Sequence, residues 1–515
     1  MDDPSLVEWS KIPYPAMDSK EHRQLALNMA RQTIVLLQNK NNILPLTKNK
    51  ERIAVIGPNA DNAPMMWGNY NGMPNHTITI LDGIKAKQKK IVYYPGCDLT
   101  YDQVMDCLLA SQCSFEGKKG MKGTFWNNRK MEGKPVTTQY YTTPLAVTTA
   151  GMHNFAPGVQ LEDFSAKYET VFTPNESGEY VVNVEGCGHF ELFINGEQKF
   201  RHHIWRTTPN RVPIQAEKGK SYNIEVRFSH IHTYNANLKI NVAKELPIDY
   251  QQVISQLNGI DKVIFVGGIY CALEGEEMPV NIDGFNGGDR TNIELPTVQR
   301  EFLKALKAAG KKVIFVNCSG SAIALLPETE SCEAIVQAWY AGQEGGTAIA
   351  DVLFGDYNPN GKLPVTFYKS SSQVPDYENY SMKGRTYRYM TEEPLYPFGY
   401  GLSYTTFAYG DARLDGMKLT IPVTNTGSRD GDEIVQVYLS RPNDPEGPVQ
   451  TLRAFKRVFV PKGKTVNVSI TLDEKSFEWF DTETNTMRPL KGAYTIHYGG
   501  TSDRKYQKSI TFPGI

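Results

Sequence analysis

The sequence has no excess of charge of either sign and no long apolar run. Its 515 residues carry 55 Lys and Arg against 56 Asp and Glu, a formal net charge of −1. Nucleic acids and anionic membrane surfaces attract proteins through an excess of positive charge, so we expect neither as a partner. No stretch approaches the roughly 18 consecutive apolar residues that a membrane-spanning helix needs. Residues 1–15 also lack the basic flank and apolar core of a secretory signal.

Metal-binding and redox motifs are missing as well. The seven cysteines are scattered and none forms a Cys-x-x-Cys pair, which excludes a zinc ribbon and a thioredoxin-type motif. Four histidines lie close together in the sequence, namely His202, His203, His230 and His232. No Asp, Glu or Cys accompanies them at ligand spacing, so we expect packing histidines, no metal site and no cofactor.

Two further motif classes are incomplete. Gly267 and Gly268 follow an apolar run, but neither GxGxxG nor a GKS/GKT sequence follows, which argues against nucleotide binding. Ser319 stands in CSGSA, which does not match the GxSxG elbow of serine hydrolases.

The sequence is rich in aromatic residues that can fill buried cores. It holds 28 Tyr, 22 Phe and 6 Trp, and its length suggests about three domains. Apolar, β-branched runs bounded by Gly, Pro or Asn are typical of strands buried on both faces of a parallel sheet. They lie at 52–59, 90–96, 262–268, 312–320 and 334–342. Helical patterns at 297–310 and 345–355 alternate with them and predict an α/β domain.

The N-terminal part of that domain is predicted to contain a helix within residues 18–46. Leu25, Met29, Ile34, Val35 and Leu36 fall near helical spacing, and either Asp18 or Ser19 could cap the helix.

Two other stretches have the alternating pattern of β structure. Between about 113 and 245, short alternating runs surround an Asn195-Gly196 hairpin turn, which predicts an all-β domain inserted into the α/β domain. After about 390 the alternating pattern recurs, with predicted strands at 8–12-residue spacing, and it predicts a terminal β-sandwich. The predicted fold class is therefore multidomain α/β plus β.

The densest group of chemically useful residues follows the run at 262–268. Glu274, Glu276 and Glu277 lie within four residues, in a position where α/β sheets gather ligands. Such a carboxyl group can serve as a general acid, although a solvated acidic loop explains the same pattern. Trp67 and Tyr70 in MMWGNYNG could form a sugar-stacking wall, or they could simply pack beneath a Gly-rich loop.

Long motifs distributed along the chain resemble glycoside hydrolase family 3, most of all its β-xylosidase branch, with β-glucosidases next. They are RQTIVLLQNKNNILPL (31–46), IAVIGPNAD (53–61), GNYNG (68–72), EGEE with GGDR and LPTVQ (274–299), AWYAGQEGGTAIADVLFGDYNPNGKLPVTF (338–367) and YPFGYGLSYTTF (396–407). Residues 425–442 and 452–465 are similar to the family's fibronectin type III-like domain. The insert resembles the protective antigen-type domain of some members.

The resemblance implies a domain order. Residues 1–25 would be the linker after a barrel domain, 26–112 with 246–385 a discontinuous α/β sandwich, 113–245 the insert and 390–515 the fibronectin type III-like domain. The family's (β/α)8 barrel of about 250 residues has no counterpart in the sequence. No Asp after Ser or Thr and before Trp, the signature of the family's nucleophile, occurs either.

The resemblance also implies a retaining mechanism. A barrel aspartate attacks the sugar, and a glutamate on a loop of the second domain protonates the leaving oxygen, the two carboxyls lying about 5–5.5 Å apart. The family's acid/base position falls on Glu276, with Glu274 as the second candidate. The expected partners are an oligosaccharide and a barrel domain or chain that carries the nucleophile, and an uncovered barrel-facing surface would favour a homo-oligomer.

The sequence is compatible with two alternative functions. The first is the C-terminal part of a retaining exo-β-glycosidase that is inactive alone, and the second is a non-catalytic carbohydrate-binding or scaffold protein. The retained glutamate loop favours the first, because a binding module does not need it. Family resemblance also implies a periplasmic or secreted protein, although the chain itself carries no signal for a compartment.

Overall fold

The computed structural model describes residues 3–72, 74–149, 152–230, 235–278 and 280–514, with the backbone alone for 204–209. The chain divides into two compact units. One comprises Met1–Tyr70, Thr77–Thr100 and Tyr250–Ile515, and the other Asn71–His76 and Tyr101–Asp249. The sequence placed this boundary near 113. The second unit starts earlier because strand Gln103–Cys107 pairs with strand Asn237–Pro247.

The first unit is built on a six-stranded sheet in the described part of the chain. Its strands are β1 (Val35–Asn39), β2 (Ile53–Ile56), β3 (Ile91–Tyr94), β4 (Lys262–Gly268), β5 (Lys312–Cys318) and β6 (Ala334–Gln337). Their order is β1-β6-β5-β4-β2-β3, parallel throughout except for the edge strand β1. All the residues of β2 and β6 are buried, as the continuous apolar runs predict.

The first unit also contains helices. They are α1 (Lys20–Thr33), α2 (Ala63–Trp67), α3 (Ile80–Lys87), α4 (Tyr250–Ser255), α5 (Thr297–Ala308), α6 (Leu326–Ser331), α7 (Gly345–Leu353) and α8 (Thr386–Tyr389). Short 3₁₀ turns occupy Pro4–Leu6, Glu8–Lys11, Tyr14–Ala16, Lys40–Asn42, Ser371–Gln373, Glu474–Phe477 and Arg504–Tyr506. The helices predicted at 297–310 and 345–355 are confirmed. In the described residues, no helix is long and apolar enough to cross a membrane.

The predicted helix within 18–46 starts where expected and ends earlier. Ser19 caps α1 by accepting a hydrogen bond from the backbone N–H of His22. The periodic interpretation of Ile34 to Leu36 was wrong, because Ile34 ends α1 as its C-cap and Val35 and Leu36 pair with β6. Leu25 and Met29 lie within α1 and are more than half exposed.

The second unit is rich in strands. They are Gln103–Cys107, Cys113–Phe115, Lys118–Lys119, Met121–Trp126, Thr137–Tyr141, Leu145–Thr148, Ser165–Phe172, Gly178–Ile194, Glu197–Ala216, Tyr222–Ser229 and Asn237–Pro247, with a short helix at Leu109–Gln112. Asn195 and Gly196 both have positive φ and close the hairpin of the two longest strands, as predicted.

Histidines of this unit pack against aromatic rings. His202 stacks on Phe200 at a centroid distance of 4.9 Å, and His230 stacks on Phe164 at 5.4 Å. His232, which the sequence grouped with them, lies outside the described residues. The described chain holds no group of three His, Cys, Asp or Glu side chains placed to bind a metal ion.

The C-terminal part of the first unit is a β-sandwich. One sheet contains Phe407–Tyr409, Arg413–Asp415, Lys418–Asn425 and Thr465–Thr471, and the other contains Gly431–Ser440, Thr451–Val460, Tyr494–Gly499 and Lys508–Phe512. Glu478–Asp481 and Thr486–Pro489 form a separate hairpin. Alternate residues of Lys418–Asn425 are buried, which explains the alternating pattern in the sequence.

His497 makes this sandwich sensitive to acid. Burial, with a smaller effect of nearby Arg504, lowers the pKa of His497 from 6.5 to about 4, and its ring shares a 2.9 Å hydrogen bond with Ser440. Between pH 6.5 and pH 4 the imidazole of His497 is therefore protonated in the unfolded chain but neutral in the folded chain. The stabilisation by neutral His497 is complete above pH 6.5 and is lost as the pH falls towards 4.

We expect His497 to account for about 2–3 kcal/mol of the stability lost between pH 7 and pH 4. The measurement is urea unfolding of the wild type and His497→Gln at several pH values. The variant should have the flatter pH dependence. Equal slopes for the two proteins would show that His497 does not titrate in this way.

Candidate active site

Loops from four strands meet at one edge of the six-stranded sheet. β2, β4, β5 and β6 run parallel, so their carboxyl ends lie at the same edge. Ligands of open α/β sheets bind at such an edge. The Glu-rich loop follows β4, Ser321 lies after β5, Tyr340 lies after β6, and Tyr70 lies in the segment after β2.

The exit from β4 is fixed by buried backbone contacts. Gln299, on α5, accepts from the N–H of Gly268 at 2.7 Å and donates to its carbonyl at 2.8 Å. Gly268 has a φ of 105°, and a Cβ there would lie 2.0 Å from the carbonyl oxygen of Cys318. Only glycine therefore fits at this position.

The loop after β4 is tied to a small three-stranded sheet. Its strands are Asn281–Ile282, Phe285–Asn286 and Asp289–Arg290. Gly275 N–H donates to Gly288 O at 3.0 Å, and Met278 N–H donates to Gly287 O at 2.9 Å. Backbone hydrogen bonds therefore attach the loop that carries the three glutamates to this small sheet.

Glu274 is engaged by neighbouring side chains. It is partly buried, and its Oε2 accepts a 3.1 Å hydrogen bond from the hydroxyl of Ser321. Ser321 in turn accepts from Nη1 of Arg290 at 3.3 Å. Nη1 also donates to the carbonyl of Ala322, while Nε and Nη2 donate to the carbonyls of Asn292 and Glu294, so the guanidinium of Arg290 is held in place.

Charge and burial reinforce this arrangement. Burial lowers the pKa of Arg290, while the nearby carboxylates of Glu274 and Glu294 oppose that shift. Burial, and then the charge of Glu274, raises the pKa of Tyr340 well above its usual value, so its phenol stays neutral. Glu274 therefore has a cationic neighbour and a hydroxyl donor and occupies a structural position in the loop.

Glu276 is placed differently. Its carboxyl group is exposed, and Oε2 accepts a hydrogen bond from the hydroxyl of Tyr70. Next to it, Glu277 is also exposed and adopts a positive φ of 47°. Of the two acid/base candidates from the sequence, Glu276 is the one whose carboxyl group is open to an incoming substrate.

The two aromatic candidates have separate roles in the structure. Trp67 is half-buried, packs against the α/β core, and donates from its indole N–H to the hydroxyl of Thr77 at 2.8 Å. Tyr70 is 84% exposed and projects over the loop. Tyr70, Glu277 and Trp339 all have φ values near +50°. Strained residues of this kind are concentrated at functional sites.

Three residues that contribute to the site have no role that sequence motifs predict. Arg290 lies in GGDR, and Ser321 and Tyr340 lie in motifs that follow apolar strands. Their sequence signal is position, because each follows the carboxyl end of a predicted parallel strand or is tied to such an end. Position groups these residues at one edge of the sheet but does not pair Ser321 with Glu274.

Comparison with known proteins identifies the family. Residues 34–404 match the family model described as the glycosyl hydrolase family 3 C-terminal domain. Residues 433–502 match the fibronectin type III-like domain. The chain belongs to glycoside hydrolase family 3.

Similar proteins are named as xylosidases or as glucosidases. The chain is 66% identical to a xylan 1,4-beta-xylosidase of Xylanibacter ruminicola over 99% of its own length and 60% of the relative. It is 29% identical to a probable beta-glucosidase I of Aspergillus clavatus, over 97% of its length and 64% of that protein.

A solved family 3 structure also matches. It is the beta-glucosidase of Kluyveromyces marxianus, with a TM-score of 0.69 and 26% identity over 97% of this chain and 63% of that one. The chain thus spans a little over three-fifths of these relatives. The sequence-based assignment to family 3, and the expected multidomain α/β plus β fold with a fibronectin type III-like C-terminal domain, are confirmed.

Proposed function

We propose that the chain is the C-terminal part of a retaining exo-β-glycosidase and supplies its acid/base residue, Glu276. The observation that carries this proposal is the contrast between the two glutamates on one loop. Glu274 is bound by Ser321 in the field of Arg290, whereas Glu276 presents its carboxyl group to solvent at the carboxyl edge of the sheet.

In this role Glu276 acts twice. It first protonates the glycosidic oxygen as the bond to the sugar breaks, and a nucleophilic carboxylate captures the anomeric carbon. It then removes a proton from the water that hydrolyses the glycosyl-enzyme. The nucleophile must lie about 5–5.5 Å from Glu276 on the opposite side of the scissile bond.

We propose that a (β/α)8 barrel outside these 515 residues carries that nucleophile. The support is a group of apolar side chains within residues 6–29 that are each more than half exposed, namely Leu6, Trp9, Ile12, Tyr14, Met17, Leu25 and Met29. Exposed apolar residues concentrated in one short segment favour an interface. Without the barrel, these side chains favour self-association of the chain into a homo-oligomer.

The remaining domain assignments form part of this proposal. Residues 1–25 would link the barrel to the α/β sandwich, which comprises 26–112 and 246–385, and 390–515 would form the fibronectin type III-like domain. Residues 113–245 would be a protective antigen-type insert.

We propose terminal, non-reducing β-D-xylosyl residues of plant polysaccharide oligosaccharides as the substrate, with β-D-glucosyl residues second. The support is the 66% identity to a protein named xylan 1,4-beta-xylosidase, against 29% for one named beta-glucosidase.

The test is the release of p-nitrophenol from aryl β-xyloside and aryl β-glucoside. We expect no turnover by the 515-residue chain alone, and turnover when a separately expressed family 3 barrel, taken from a β-xylosidase relative, is added. The xyloside should be the better substrate. The barrel by itself is the control and should be inactive.

Each other outcome selects a different function. Turnover by the chain alone would place a nucleophile within these residues and overturn the proposed division of the active site. Assembly with the barrel without turnover, together with retained binding of xylo-oligosaccharides, would favour a non-catalytic carbohydrate-binding or scaffold protein.

A further inference from the structure

The segment after β2 runs along the glutamate loop and contacts it at two successive residues. The side-chain N–H of Asn69 donates to the backbone carbonyl of Glu274 at 3.1 Å, and the hydroxyl of Tyr70 donates to the carboxylate of Glu276. The first contact holds the loop backbone, and the second holds one side chain of that loop.

The backbone of this segment lies close to the ring of Tyr340. Gly68 has a φ of 75°, and a Cβ there would lie 3.3 Å from the ring of Tyr340. Tyr70 itself adopts a φ of 51°, a conformation that is unfavourable for a bulky residue. The chain therefore accepts strain at Tyr70 in a position where its hydroxyl reaches Glu276.

We propose that Tyr70 is a positioning residue for Glu276 and not only part of a sugar-stacking wall. This inference rests on the proposed function, because it needs Glu276 to be the acid/base residue. An exposed glutamate samples several rotamers, and only those that point at the glycosidic oxygen transfer a proton. The hydroxyl of Tyr70 restricts that choice.

A phenol suits this task because it can serve both protonation states of the carboxyl group. It donates to the carboxylate after the leaving oxygen has taken the proton, and it can accept from the carboxylic acid once the proton has returned from water. No proton needs to leave Tyr70 in either step, so the residue holds Glu276 without joining the chemistry.

The test compares Tyr70→Phe with the wild type in the barrel-complemented enzyme. The substrates are aryl β-xylosides whose leaving groups range from 2,4-dinitrophenol, which departs without a proton, to phenol, which needs one. We expect kcat/KM, which reports the first step, to fall roughly three- to tenfold for the phenol substrate and to stay unchanged for the dinitrophenol substrate. Tyr506→Phe, an exposed tyrosine in the β-sandwich, is the matched control and should match the wild type.

A second variant separates positioning from stacking. Tyr70→Ala also removes the ring, so it should add a rise in KM that is equal for all the substrates. If Tyr70→Phe has the wild-type dependence on leaving group while Glu276→Gln loses protonation of the leaving group, the positioning role is wrong and the proposed function stands. If Glu276→Gln shows no dependence on the leaving group, or the complemented enzyme has no turnover, the proposed function fails and the positioning role fails with it.

Discussion

Replacing Glu276 with glutamine is expected to lower turnover of aryl β-xylosides with poor leaving groups by roughly 10²–10⁴-fold in the barrel-complemented enzyme. Glutamine keeps the size of the side chain and can still bond to Tyr70, but it has no proton to give to the leaving oxygen. Cleavage of 2,4-dinitrophenyl β-xyloside should be much less affected in its first step, because that leaving group departs as an anion. The measurement is kcat/KM across a leaving-group series.

The neighbouring glutamates provide the controls for this experiment. Glu277→Gln changes an exposed carboxyl one residue away and should stay within about twofold of the wild type. Glu274→Gln weakens the contact with Ser321 and should lower turnover by a similar factor for every leaving group. A loss that grows with poor leaving groups in Glu274→Gln, and not in Glu276→Gln, would transfer the acid/base role to Glu274.

The nucleophile azide offers an independent readout of Glu276. In a variant without the acid/base carboxylate, azide can attack the glycosyl-enzyme without a general base and should accelerate its breakdown. We expect Glu276→Gln to yield a β-xylosyl azide, which retains the configuration of the substrate. A product of inverted configuration would contradict the retaining mechanism.

Asp351→Asn is expected to lower the free energy of unfolding of the first unit by about 3–5 kcal/mol. The carboxylate of Asp351, on α7, is 1% exposed and pairs with Arg31 at 2.5 Å and with Lys87 at 2.6 Å. These cations come from α1 and α3, so one buried anion joins three helices. Asparagine would leave two partly buried positive charges without this counter-charge.

Asp356 is the matched control because it shares Lys87 as a partner. Its side chain is 32% exposed, and it also pairs with Lys48. Burial opposes the raised pKa of Lys87, but hydrogen bonds and charge from Asp351 and Asp356 outweigh it. We expect Asp356→Asn to cost less than about 1 kcal/mol. Urea unfolding of both variants checks the difference, and equal losses would contradict the importance of the buried carboxylate.

The sequence by itself determined the parts of this protein that depend on local pattern. Apolar β-branched runs predicted the parallel strands β2 to β6, and the Asn195-Gly196 turn predicted the long hairpin, because strand burial and turn geometry leave marks on adjacent residues. Long motifs identified the family, and the glutamates after β4 marked the candidate site. The predicted end of α1 was wrong. The helical spacing of apolar residues continues beyond the helix, but Val35 pairs with β6 as a strand residue.

Only the tertiary structure decided how the residues of that site differ. Glu274 and Glu276 are two residues apart with the same side chain, and nothing in their spacing distinguishes them. Ser321, which follows β5, binds Glu274, whereas Tyr70, which lies in the segment after β2, binds Glu276. These partners come from loops far apart in the sequence, and they meet because parallel strands bring their carboxyl ends to one edge. The same reason hides Asp351 from sequence analysis, since its cations lie more than two hundred and fifty residues away along the chain.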